Sequence, residues 1–323
     1  MYVDIALSIN RTLQVPLLVV INSILKNTAH RPDLPPLRFN IVVPPHEKSF
    51  FEEQLQAAFS RYRRVIFRVK EYTPPEYLKH YLDSRFKEKK EARRLSRYMQ
   101  YARLLLKEIF PDVGRVVYFD GDVVVLGDVR SLYAMGDQLT PQSYLAAATQ
   151  FFPAIFYFSN PLRMLKDLRR FKSTFNSGVL LTELSYWTGQ TYDLLRHYLA
   201  LDASRNYQLY HLGDETIFNL MFKDTYLPLP KSWNCCGYGQ IHLVARLLRR
   251  NPKQINVIHW SGGHHKPWQS DRVIYSDIWR SYLPASNVSA SNVSASHTST
   301  EPSVSPSKSV SSGTASKPIS SLR

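Results

Sequence analysis

The chain has 323 residues, enough for one large α/β domain or two smaller ones, and its 44% hydrophobic and 13% aromatic content can supply a packed core. A formal charge of +15 suits an anionic partner, while the two cysteines, adjacent at Cys235 and Cys236, exclude a disulfide framework and a zinc site built from cysteine alone. No signal-peptide pattern opens the chain, and the early apolar stretch Leu13–Leu25 holds Pro16 and Asn22 and is too short to span a bilayer, so a reducing, cytoplasmic setting is expected.

In chain order, Val3–Ile9 reads as a first strand and about Val15–Lys26 as a helix. Leu37–Val43 is a second strand, bracketed by prolines; a helix over Glu47–Ser60 and a strand over Arg64–Val69 follow. This alternation predicts a parallel sheet with helices on its faces. Tyr72–Leu95 is polar and basic and is expected to be a mobile helical insert, followed by an amphipathic helix over Ser96–Ile109. Arg115–Phe119 is the next strand. Further on, Tyr144–Thr149 and Ser177–Leu181 read as strands, and Phe151–Phe171 has no clear period. Ser185–Leu199 and His211–Phe222 read as helices, Gln254–His259 as a last strand and Ser276–Tyr282 as a last helix.

From Ala285 the composition turns to Ser, Thr, Pro and Lys, with Ala-Ser-Asn-Val-Ser repeated at Ala285 and Ala290. Such a segment cannot bury enough surface to fold, so residues 285–323 are expected to be a disordered tail behind a domain at 1–284. Asn287 and Asn292 head glycosylation sequons, which carry little meaning without a secretory signal. The basic excess lies mainly between Lys79 and Lys107 and between Arg246 and Lys253. Neither zinc-finger spacing nor an RNP-like run accompanies it, so a nucleic-acid partner is not expected. The basic surface instead suits phosphorylated small molecules or peripheral membrane contact. A plain solvated helix face remains the other reading of the first cluster, since Glu88 and Glu91 interleave it.

The informative stretch is Tyr118-Phe119-Asp120-Gly121-Asp122-Val123. A buried strand that ends in two acids needs positive charge nearby, because an unpaired buried carboxylate is costly. If the backbone stays extended, Asp120 and Asp122 share one face, and Gly121 lets a ligand approach the backbone. A divalent cation held by oxygen fits; an ordinary strand end followed by a turn fits too. A second stretch, His259-Trp260-Ser261-Gly262-Gly263-His264-His265-Lys266-Pro267-Trp268, can present an imidazole and an ammonium together. Asp120, Asp122 and His259 would then form a metal site that favours Mn²⁺, with Mg²⁺ second, and Lys266 would sit beside it for phosphate. Taken alone, His259 reads as a satisfied core histidine, and His264 and His265 as loop residues.

Five blocks in order carry a resemblance: Tyr101-Ala102-Arg103-Leu104, Tyr118 to Asp122, Phe175-Asn176-Ser177-Gly178-Val179, Gly213-Asp214-Glu215, and His259-Trp260-Ser261-Gly262 with Lys266-Pro267-Trp268. Together they resemble the retaining glycosyltransferases of family 8, the group of glycogenins, lipopolysaccharide galactosyltransferases and galacturonosyltransferase-like proteins, from about Val3 to Pro284. The resemblance implies an α/β GT-A fold: a Rossmann-like, nucleotide-binding mixed sheet flanked by helices. It implies that Asp120, Asp122 and His259 hold Mn²⁺ against the diphosphate of a UDP-sugar, that Lys266 touches that diphosphate, and that Arg103 reaches sugar or phosphate. It places Asn176 and Asp214 on donor sugar hydroxyls, Glu215 nearest the anomeric carbon, and Ser8, Asn10 and Gly121 around the nucleotide. The acceptor would be a carbohydrate or glycolipid.

Three positions depart from the family pattern. Asn10 stands where an aspartate is usual, Glu215 where glutamine is common, and one extra residue separates His259 from Lys266. A catalytically silent UDP-sugar-binding or scaffold protein of the same fold is the alternative function.

Overall fold

The computed structural model describes residues 2–150, 154–159, 162, 169, 171, 173–223 and 225–284. The expected tail, and most of the stretch without a clear period, lie outside the described residues. Among these, β1 (Val3–Ser8), β2 (Leu37–Val43), β3 (Val65–Glu71) and β4 (Arg115–Phe119) lie side by side in the order β3-β2-β1-β4, all parallel. Strands buried on both faces need continuous apolar runs rather than alternation. β1 and β2 are buried throughout except for partly exposed Arg38, and the polar residues that interrupt their apolar runs are paired: Asp4 accepts from Arg38 at 2.6 Å and from Asn40 at 2.8 Å. The helices α1 (Gln14–Asn27) and α2 (Lys48–Phe59) make the crossovers. α1 keeps ten consecutive residues buried, Pro16–Leu25, which accounts for its apolar run without a membrane.

Beyond β4 the sheet changes direction. β7 (Thr174–Glu183) pairs antiparallel with β4 on one side and with β6 (Leu145–Gln150) on the other, and β8 (Leu227–Leu229) closes the edge parallel to β6. The sheet is therefore mixed, and the parallel alternation of the first half does not run through it. β7 is ten residues long, about twice the expected strand, because Asn176, Ser177 and Thr182 are buried polar residues that mask its ends. A separate pair, β5 (Val123–Val125) and β9 (Val257–His259), packs on α1. Asn27 donates to the Val125 carbonyl at 2.9 Å and Ser23 accepts from the Val125 N–H at 3.0 Å.

Tyr72–Leu95 is helical, as expected, and packs against the rest of the domain. It holds α3 (Glu76–Phe86), which buries Leu78, Tyr81 and Leu82, a stripe at positions i, i+3 and i+4 that its many charges conceal. Arg85 pairs with fully buried Asp202, and the Tyr81 hydroxyl donates to the same carboxylate at 2.7 Å. This pins α3 to α7 (Gly189–Ala203). The single helix expected next is broken into α4 (Glu91–Ala102), a 3-10 turn at Arg103–Leu105, and α5 (Leu106–Ile109). The turn brings Arg103 to bear on β7. Among the described residues the remaining α-helices are α6 (Val129–Ala134), α8 (Asp214–Phe222), α9 (His242–Leu247) and α10 (Ser276–Ser281). Among the described residues no helix is long and apolar enough to cross a membrane.

Candidate metal and nucleotide-sugar site

The strand order reverses between β1 and β4, and in open α/β sheets ligands bind at the carboxyl ends of such strands. Ser8 and Asn10 stand at the end of β1, and Asp120 at the end of β4. The chain does not stay extended after Phe119: Gly121 and Asp122 form a turn into β5, so it is the turn that gathers the two carboxylates. The turn is held on both sides. The Asp120 N–H donates to the Gly178 carbonyl at 2.8 Å, and the Asp122 carbonyl accepts from Trp260 at 3.0 Å.

The antiparallel register pairs Val123 with His259, which sets the imidazole beside Asp122. One ligand atom each from Asp120, Asp122 and His259 lies within 4.8 Å of the others. The Nε2 of His259 is 3.2 Å from Asp122 Oδ1 and 3.9 Å from Asp120 Oδ2. Its Nδ1 lies 2.9 Å from the Asn234 side-chain oxygen, a contact that orients the ring so that Nε2 faces the two acids. Two carboxylates and an imidazole nitrogen converge on one point, a mixed oxygen and nitrogen donor set. The donor set therefore fits a hard divalent ion such as Mn²⁺. Gly178 makes this closeness achievable, since a Cβ there would overlap both the His259 ring and the Asp120 carboxylate.

Each acid has its own cation. Arg103 pairs with Asp120 at 3.0 Å and with Asp214 at 3.1 Å, while its Nε–H donates to the Gln100 carbonyl at 3.0 Å and a further nitrogen to the Ser177 carbonyl at 2.8 Å. Burial works against the guanidinium charge, but Asp120 and Asp214 outweigh it and raise the pKa. Lys266 reaches Asp122 at 2.6 Å and the Trp260 carbonyl at 2.7 Å. The extra residue before Lys266 is thus absorbed in the loop, where Gly262 takes φ +113°, a left-handed conformation that favours glycine. Burial disfavours the Asp122 charge, yet Lys266 and His259 overcome this and hold the carboxyl well below its ordinary range. His264 and His265 remain loop residues whose N–H groups donate to the Gly239 carbonyl.

Asn176, Asp214 and Glu215 come together on the other side. Gly213 leads α8, so both acids lie in its first turn. Glu215 accepts from Asn176 at 2.6 Å, Tyr157 at 2.8 Å and Gln150 at 2.9 Å. Burial raises the pKa of Glu215 despite these donors, and raises that of Asp214 despite Arg103. The Asn176 oxygen accepts from Gly178 N–H and from Asn234, both at 3.0 Å. A continuous polar chain therefore runs Glu215–Asn176–Asn234–His259. No pattern in the sequence marks Asn234, Gln150 or Gln100, whose side chain donates to Asp214 at 2.5 Å; each matters only through a contact with a distant segment. Cys236 also faces the cleft, and burial pushes its thiol up to about 12, which leaves it unreactive.

Two cavities meet at Gln100, Arg103, Asp120 and Asp122. The smaller, about 270 Å³, is lined by Ser8, Asn10, Gly121 and Lys266 among others. There Ser8 bonds the Tyr118 hydroxyl at 2.8 Å, while Asn10 caps the turn at Thr12 and donates to Ser96 at 2.8 Å. The larger, about 1130 Å³, holds Asn176, Asp214, Glu215, Asn234 and His259.

With this geometry in view, the sequence matches the family model described as glycosyl transferase family 8 over residues 4–272. The chain belongs to that family. It is 31% identical to galacturonosyltransferase-like 3 of Arabidopsis thaliana over 183 residues, covering 54% of this chain and 52% of that protein. It is 27% identical to glycosyltransferase GlyF of Streptococcus pneumoniae over 187 residues, 57% of this chain and 42% of that one. The chain thus spans about half the length of the curated relatives it matches. A solved galactosyltransferase, LgtC, in complex with donor and acceptor sugar analogues, superposes with a TM-score of 0.62 at 17% identity, over 90% of this chain and 99% of that one. At that identity the likeness carries the fold, a family 8 GT-A fold with a mixed seven-stranded sheet.

Proposed function

We propose that this protein transfers a hexosyl or hexuronosyl group from a UDP-sugar to a hydroxyl of a glycan, glycolipid or other acceptor, with retention and with a divalent cation, Mn²⁺ before Mg²⁺. The observation that carries this reading is the convergence of Asp120, Asp122 and His259 where the two cavities meet. Family membership and the donor set support it together; the cytoplasmic setting rests on the sequence.

The small cavity suits the nucleoside, with Ser8, Asn10 and Gly121 on its wall, and the large cleft suits the sugar and its acceptor. Asp120, Asp122 and His259 would hold the ion, which when bound supplies Lewis-acid stabilisation to the departing diphosphate. Lys266 adds a second positive charge beside the same oxygens, worth most as negative charge grows there. To do so its ammonium turns from Asp122 towards the diphosphate. Arg103, with all three nitrogens occupied inside the protein, holds Asp120 and Asp214 in register with phosphate and sugar. Asn176 and Asp214 meet the sugar hydroxyls. Glu215 offers an anionic face to the cationic character that develops at the anomeric carbon.

Incubation with Mn²⁺ and a panel of UDP-sugars tests this, with free UDP as the readout. Release from UDP-glucose, UDP-galactose or UDP-galacturonate, abolished by chelation, is expected. UDP binding without release from any sugar would instead identify a silent binding protein of the same fold.

A further inference from the structure

The mouth of the large cleft has an unusual border. Ile155, Leu212, Val244 and Leu248 line it, and Ile155, Leu212 and Leu248 are 49%, 43% and 41% exposed. Val244 and Leu248 are four residues apart and so share the face of α9 and its following turn that looks into the cleft. Leu243 and Leu247 lie one position round from them and face solvent, at 68% and 77% exposure, with Ile241 at 48% just before the helix. Of all the described large apolar side chains, Leu247 is the most exposed and Leu243 is third. Interleaved with them are Arg246, Arg249, Arg250 and Lys253, and residues 241–254 contain no acid. Leucines that project beside arginines, on a surface continuous with a substrate cleft, need a partner that is apolar in depth and negative at its surface.

That requirement separates the occupants. A second copy of this chain would set arginine against arginine across a two-fold axis. The residues from 285 to 323 carry Lys308, Lys317 and Arg323 against Glu301 alone, so they repeat the charge of the patch and have few large apolar side chains. A nucleic acid would match the arginines but leave the leucines in water. An anionic bilayer matches both, through headgroup charge and through acyl depth.

We propose that α9 and the turn after it seat this protein on an anionic lipid surface, Leu243 and Leu247 entering the headgroup boundary and Arg246 and Arg249 meeting the lipid phosphates, so that the large cleft opens towards acceptors carried in that surface. This rests on the glycosyl-transfer reading only for the word acceptor; the lipid contact stands on the patch itself.

The test floats the full chain with vesicles of phosphatidylcholine alone and of phosphatidylcholine with about one third phosphatidylglycerol. The protein is expected to rise with the anionic vesicles only, and less as salt increases. Leu243→Ser with Leu247→Ser should cut the bound fraction about tenfold, as should Arg246→Glu with Arg249→Glu. Metal-dependent UDP release in free solution should be unchanged in the leucine variant, since neither leucine lines the cleft. The proposal is overturned if the wild-type chain stays in the soluble fraction with both vesicles, or if the leucine variant floats as well as wild type. It is overturned too if sedimentation shows a dimer that this variant dissolves, which would assign the patch to a second copy. Loss of UDP release with flotation intact would count against the enzymatic reading and leave this one standing.

Discussion

The two carboxylates of the Asp120–Asp122 turn are two residues apart and live in different surroundings. Asp120 belongs to a closed cluster: Arg103 is 6% exposed, bridges Asp120 and Asp214, and stacks over the Tyr118 ring with its carbon 4.9 Å from the ring centre. Asp122 faces a loop. Its partner Lys266 keeps about a fifth of its side chain exposed, on a segment with a glycine in a left-handed conformation. The same charge pairing thus has a fixed half and a half that can move. The fixed half builds the site, while the movable half is suited to exchange one anionic partner, the carboxylate, for another, a diphosphate.

The largest effect should follow from Asp122→Asn. The amide keeps the shape but removes one of the two carboxylate charges that face the His259 Nε2. Mn²⁺ affinity should fall at least about tenfold and UDP release roughly a thousandfold, read by titration calorimetry and by turnover. Unchanged Mn²⁺ affinity would mean that the convergence of the three ligand atoms is not a metal site.

Arg103→Met tests the fixed half. It strands Asp214, which is 1% exposed, without its cation, and frees Asp120. Removing one partner of a buried pair costs about 3–5 kcal/mol of stability, so urea midpoints should drop accordingly. A loss under about 1 kcal/mol, typical of exposed pairs, would show that Arg103 is solvated and the two halves are alike.

How much of this division was legible beforehand follows from where each contact originates. Asp120 and Asp122 stood out because acids at the end of an apolar strand violate the burial rule, and His259 because it ends another. The resemblance then ordered them with Asn176, Asp214 and Lys266. The parallel half of the sheet was readable from its β-α alternation. The antiparallel half was not, since β7 hides its length behind buried Asn176, Ser177 and Thr182. Nor was the anchoring of α3, where a three-residue apolar stripe lies among lysines and arginines. Asn234 was out of reach: an asparagine that ends the short 3-10 helix Lys231–Asn234 becomes the partner of an imidazole only once β9 folds against β5.

Lys266→Ala tests the movable half and should cost less. The ligand atoms of Asp120, Asp122 and His259 are untouched, and a competing positive charge leaves Asp122, so Mn²⁺ affinity should hold or rise. Turnover should fall roughly ten- to a thousandfold if the ammonium stabilises charge that grows in the transition state. Normal turnover would show that the lysine serves only to neutralise Asp122.

The smallest effect is a difference of slope with pH, measured on chelated protein. In Asp214, burial outweighs Arg103 and Gln100, and the carboxyl sits above the ordinary value of 3.8. The native state therefore binds this proton more tightly than the unfolded chain does. Stability from this group is present below about 3.8 and is lost as pH rises through the raised native value. Asp122 has the opposite sign. Burial is overcome by Lys266 and His259, the native carboxyl lies below 3.8, and its contribution is present above that value and lost as pH falls through the depressed one. Asp214→Asn should accordingly gain on the wild type as urea midpoints are followed from about pH 4 to pH 7. Asp122→Asn should lose on it as pH rises from about 2 to 4. Slopes of one sign for both variants would mean that the two acids share a single environment, and that the distinction between a fixed and a movable half does not hold.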